Sequence, residues 1–215
     1  MNDSASSDFY AVNTRLSDSL QRWLAGGGFR IGQVQVGAQG RLHHVEDAGR
    51  GDLEVFTDPH AALELARYDD AGKYRPLKTA PNLRHGWRLE VTGLEAIRLA
   101  LDFLYPAALG LAVAHERGGL AEVNLRETLG RQTGMYAVVK KISDAQAEQV
   151  ISSTCRGTPG CLRQILWDIS PDCALPETLK RSPDHGQSKP LLCAEACNLL
   201  VAAGRVEVKK PATSD

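Results

Sequence analysis

All five cysteines of this chain fall in its last third, at positions 155, 161, 173, 193 and 197, and the first 154 residues contain none. Cys155 and Cys161 form a C-x5-C pair, Cys193 and Cys197 a C-x3-C pair, and Cys173 stands alone between them. Disulfides are rare in a reducing compartment, and 215 residues with 43% hydrophobic content can bury a core without such staples. Clustered cysteines then point to metal binding or thiol chemistry. Two pairs can close one tetrahedral site, so the surrounding loops and helix ends have to converge on it.

Upstream of the cysteines the pattern is mixed α and β. Thr14 to Leu24 reads as a short amphipathic helix stopped by Gly26-Gly27-Gly28. Phe29 to Val36 and Arg41 to Val45 read as strands joined through Gly37-Ala38-Gln39-Gly40, with a bulge where the alternation slips at Gly32. Leu53 to Phe56 is a third strand, and Asp58-Pro59 supplies an N-cap and first-turn pair for a helix through Arg67. Tyr68 to Arg88 reads as an ordered loop in which Lys73, Arg75, Lys78, Arg84 and Arg88 alternate with Tyr74, His85 and Trp87.

Helical spacing then takes over. Leu94, Ile97, Leu101 and Leu104 share a face, and Pro106 breaks the chain before a second apolar stretch to His115. Leu125 to Val139 is helical with an interruption at Gly134, and Ser143 to Gln146 is a capping box opening a helix that ends near Cys155. Leu162 to Ile169 is read as a short helix, Ser170 to Pro190 as a loop, and Ala194 to Ala203 as a closing helix ending at Gly204. The expected fold class is α+β: a small mixed unit over 1–67, a mainly helical cysteine-bearing domain over 68–208, and a polar tail over 209–215.

A closing helix that starts near Cys193 would place Cys193 and Cys197 on one face at its N-terminus, where the dipole favours negative sulfur. Arg156 and Arg163 add positive charge beside the first pair. Neither ferredoxin spacing occurs, nor does the C-x2-C knuckle usual in structural zinc sites. Five residues between Cys155 and Cys161 can wrap a group larger than one ion, which favours a 4Fe-4S cluster over zinc. Plain buried thiols are the third reading, since Cys197 sits in an apolar segment, and Cys173 reads as a spare thiol.

Several strings carry a resemblance: Tyr68 to Leu77, Leu83 to Trp87, Tyr105-Pro106, Arg131 to Tyr136, Cys161-Leu162-Arg163 with Trp167, and Cys193 to Leu200. Together they resemble the 4Fe-4S-binding C-terminal region, with its small stabilising domain, appended to some CbiX-type sirohydrochlorin chelatases. The resemblance implies Cys155, Cys161, Cys193 and Cys197 as cluster ligands. It also implies a redox or accessory role linked to metal insertion into sirohydrochlorin-type tetrapyrroles. The partners it implies are a redox protein or a chelatase-like protein, with a tetrapyrrole as ligand. Chelatase activity itself is not implied, because the chain offers no βαβ succession to supply that enzyme's own α/β domain.

Other features define what the chain lacks. His43-His44 are adjacent on a strand and would face opposite sides, so one ion is not expected between them. The basic-aromatic loop and Arg131 to Tyr136 each suit either an anion pocket or simple packing, and Trp167 would shield the cysteines from water. No Ser/His/Asp pattern, phosphate loop or dinucleotide fingerprint occurs, and no residue is assigned a catalytic role; a lone thiol acting with His115 or His185 explains the cysteines less well than ligation does. With 25 basic and 26 acidic side chains there is no general attraction to nucleic acid. Met1 to Asp8 has no signal-peptide character and the run Ala107 to Ala114 is too short to span a bilayer, so a cytoplasmic protein with no membrane partner is expected.

Overall fold

A computed structural model of the chain describes residues 15–69, 71–74, 82–120, 123–155, 161–165, 167–168, 187–193 and 196–210, the side chains of 123–127, 165 and 167–168 excepted. The described chain is mixed α and β and divides into two compact units. One comprises 15–69, 71–74, 82–120 and 187–191; the other comprises 123–155, 161–165, 167–168, 192–193 and 196–210. The division near 120 differs from the 67/68 boundary expected from sequence. The reason is that the supposed loop ends in a central strand of the first unit, which draws the following helices into that unit.

In the first unit a helix over 15–25 (α1) is followed by β1 (Gly28–Ile31), β2 (Val34–Gly37) and β3 (Arg41–His44). After a short 3-10 turn come β4 (Glu54–Phe56), α2 (Ala61–Arg67), β5 (Trp87–Glu90), α3 (Leu94–Leu104) and α4 (Ala108–Glu116). With a two-residue strand at Ser188–Lys189, these make a six-stranded sheet in the order β4, β5, β3, β2, β1, Ser188–Lys189. The outer pairings, β4 with β5 and β1 with Ser188–Lys189, are parallel and the inner ones antiparallel. Alternate residues Phe29, Ile31, Val34, Val36, Leu42, Trp87 and Leu89 are fully buried, the period of two that a half-buried sheet requires.

The bulge expected at Gly32 is instead a two-residue hairpin turn. Ile31 pairs with Val34, and Gly32 takes φ +56°, where a Cβ would strike the Tyr105 ring. Phe29 to Val36 is therefore two strands. Asp58 does not cap α2 directly: it accepts from the His60 N–H at 2.9 Å, and the helix begins at Ala61. Pro106 separates α3 from α4 as expected, through Ala107 in the left-handed region at φ 61°. Among the described residues, no single helix is long and apolar enough to cross a membrane.

The second unit contains β6 (Val123–Asn124), α5 (Leu125–Gly130), a 3-10 helix over Gly134–Lys141, and α6 (Asp144–Thr154). Then come β7 (Gln164–Ile165), β8 (Trp167–Asp168), β10 (Leu192–Cys193; β9 being Ser188–Lys189) and α7 (Asn198–Val208). The capping box is present in full. Ser143 Oγ accepts from the Gln146 N–H at 3.2 Å, and Gln146 Oε1 accepts from the Ser143 N–H at 3.0 Å. Among the described residues its core comprises Leu129, Val139, Ile142, Ala147, Val150, Ile151, Leu200 and Val201. α7 packs against it at Gly204, where a Cβ would meet Ile142 at 3.5 Å and Val139 at 3.7 Å, ordinary contact distances.

Two elements differ from the sequence reading. The expected helix at Leu162 to Ile169 is replaced by β7 and β8, which pair in parallel with β10 and β6. A short apolar run does not distinguish strand from helix by period, and here ladder partners decide it. The closing helix starts at Asn198 rather than Ala194, because Cys193 is drawn into the β10 ladder and Cys197 keeps extended backbone.

Candidate metal centre

Two of the four paired cysteines occupy helix ends. Cys155 is the C-cap of α6, its N–H donating to Ile151 O at 2.9 Å. Cys197 is the N-cap of α7, with φ −82° and ψ 168°, and its carbonyl accepts from the Val201 N–H at 3.1 Å. Both side chains pack at the edge of the same core, which α6 and α7 share. The other two flank a parallel strand pair. Cys193 ends β10 opposite Ile165 of β7, and Cys161 lies just before β7. The i, i+4 helical arrangement expected for Cys193 and Cys197 is thus replaced by a strand residue and a helix cap.

All four thiols are half-buried in one unit. Among the described residues, no three His, Cys, Asp or Glu side chains gather tightly enough to hold a single ion. The donor set, four thiols, is soft in kind, which suits an iron–sulfur group with all-thiolate ligation. Cys173, Arg156 to Gly160 and His185 lie outside the described residues.

Among the described residues, one buried arginine bonds across two cysteine-bearing segments. Arg163, two residues after Cys161, is only 8% exposed, and its Nη1 donates to the carbonyl of Leu192 at 2.7 Å. Sequence reasoning singled it out only as a charge; its role as a bond between the two cysteine segments depends on strand pairing that spacing does not reveal.

The remaining candidates fall into place as scaffold. Gln132 Nε2 donates to Thr128 O at 3.1 Å, satisfying the end of α5, and Arg131 is exposed. Trp167 lies on β8, with its side chain outside the described residues. In the basic-aromatic segment, Trp87 is fully buried in the first unit's sheet and donates to Arg84 O, while Tyr74 is exposed. Arg84 and Arg88 face Glu54 and Glu90 at 3.6 and 2.9 Å; Arg75 and Lys78 lie outside the described residues.

His43 and His44 face opposite sides of the sheet, as alternation requires. His44 is buried, its Nδ1 accepting from the Glu46 N–H at 3.2 Å, and burial pushes its imidazole below the ordinary value. Beside it the buried Asp47 carboxylate accepts from the Gly86 N–H at 2.7 Å and from Arg50 Nη1 at 3.2 Å. Asp47 fixes the entry to β5; the sequence held no signal for this beyond an acid in a turn.

Comparison with known proteins agrees with this division of labour. Residues 17–116 match the family described as the DR2241 stabilising domain, and residues 117–206 match the 4Fe-4S iron-sulfur cluster binding domain. A solved structure, DR2241 from Deinococcus radiodurans, superposes with a TM-score of 0.69 at 33% identity over 96% of this chain. It is described as a multi-domain protein with structural similarity to chelatases and two additional novel domains. The present chain spans 42% of it. No curated protein matches the chain. The cofactor is a 4Fe-4S cluster, which sets aside the zinc reading.

Proposed function

We propose, for a chain that joins a DR2241 stabilising domain to a 4Fe-4S iron-sulfur cluster binding domain, a redox or accessory role beside a chelatase-like protein acting on tetrapyrroles. Cys155, Cys161, Cys193 and Cys197 are the ligands in this reading, and Cys173 is not. The observation that carries it is the placement of Cys155 and Cys197 at helix ends that pack on one core, with Cys193 in a strand pair and Cys161 shortly before it in the same unit.

When bound, a 4Fe-4S cluster supplies one-electron transfer. The chain's own contribution is to present four sulfurs from a C-cap, an N-cap, a strand and the segment leading into its partner strand. The unsatisfied N–H groups and positive dipole end of α7 favour negative charge at Cys197. Half-burial of all four limits access of water and oxidants. The tetrapyrrole link is supported by the chelatase likeness of the Deinococcus protein, and a reducing, cytoplasmic setting suits unbridged thiolate ligands.

The test is anaerobic purification of the full chain with iron and sulfide analysis of five Cys→Ser variants. Loss of most iron in Cys155→Ser, Cys161→Ser, Cys193→Ser and Cys197→Ser, with retention in Cys173→Ser, is expected. Equal retention in all five would sink the ligand set. Co-elution with a sirohydrochlorin chelatase tests the partner, and its absence at micromolar concentrations of both removes the tetrapyrrole role.

A further inference from the structure

A buried guanidinium costs desolvation and is kept where its bonds position something. Arg163 is buried, lies two residues beyond Cys161, and bonds through Nη1 at 2.7 Å to the carbonyl of the residue that precedes Cys193. The strands that follow and carry these cysteines, β7 and β10, run parallel with Leu192 opposite Gln164 and Cys193 opposite Ile165. Among the described residues that ladder covers two pairs, and the Arg163 bond adds a side-chain tie across the same two segments.

We propose that Arg163 is a positioning residue of the cluster site: its guanidinium clamps the Cys161 segment to the Cys193 strand and sets a fixed positive charge beside that pair of thiolates. The inference rests on the ligand set proposed above. Arginine suits the task because its charge is permanent and its fork is rigid. A fixed cation near the thiolates favours the more negative, reduced form, so it holds the reduction potential up.

The test uses the anaerobically purified, cluster-loaded full chain and its Arg163→Gln and Arg163→Lys variants, followed by midpoint potential and by iron loss to ferrozine. Arg163→Gln is expected to have a more negative potential and to release iron about 10- to 100-fold faster, the usual cost of removing an outer-shell partner. Arg163→Lys keeps the charge without the fork, so its potential stays near the parent's while iron still leaves faster. A Gln variant with the parent's potential and release rate overturns the proposal. So does a drop in melting temperature with both cluster readouts unchanged, which is what a purely structural arginine would give. If Arg163→Gln does not fold, Arg163→Lys decides: iron release at the parent's rate overturns the clamp. Full cluster retention in Cys161→Ser and Cys193→Ser would instead identify the ligand reading as the part that failed.

Discussion

The two units bury very different things. Among the described residues, the twelve largest fully buried side chains, from Trp87 and Tyr105 to Leu109, all belong to the first unit, on or around its six-stranded sheet. The described core of the second is eight aliphatic residues with no aromatic among them, and half-buried cysteines sit at its edge. Apolar burial alone can hold the first. Metal ligation at the edge of the second releases folding free energy when it forms. The contrast is between a unit whose described core is built on aromatic and large aliphatic side chains and one whose described core is aliphatic with cysteines at its edge.

The sharpest way to break this contrast is to remove the cluster. Chelation of the full chain should abolish hydrogen-exchange protection in α6 and α7 while leaving β1, β2, β3 and β5 protected; equal loss in both units would contradict it. Next in size, Trp87→Ala should cost the first unit about 3–5 kcal/mol in denaturant unfolding and leave the iron content of the folded fraction unchanged. Ser143→Ala removes the α6 cap and should cost the second unit about 1 kcal/mol, read as a lower midpoint for cluster loss.

The smallest effect is with pH. Burial depresses the His44 imidazole, so the folded state prefers it neutral. Its contribution is present above the unfolded value of 6.5 and is lost as pH falls below that value toward the folded one. Acid titration should therefore weaken the first unit from about pH 6.5 downward, and His44→Gln should flatten that slope.

Much of the scaffold was legible because its signals are local. The Ser143 and Gln146 capping box, the Pro106 break between α3 and α4 and the three-glycine stop after α1 each act within a few residues. What escaped depends on distant partners. Trp87 reads as part of a loop because its ladder partner Glu54, and Leu42 opposite the neighbouring Leu89, are far away in sequence. Cys193 reads as the approach to a helix over Ala194 to Ala203 because the pairing of β10 with β7 is invisible to spacing. Gly32 looked like a bulge because a two-residue turn and a bulge break alternation in the same way. The cysteine pairs themselves were plain, but the bond from Arg163 to Leu192 was not, since it crosses between segments with no shared motif.

The most direct measurement is native mass spectrometry of the full chain kept anaerobic, beside Cys155→Ser and Cys197→Ser. The account predicts one added mass of four irons and four sulfides per parent chain and its loss in both variants. A parent that carries a single zinc, or variants that keep the full iron–sulfur mass, would contradict it.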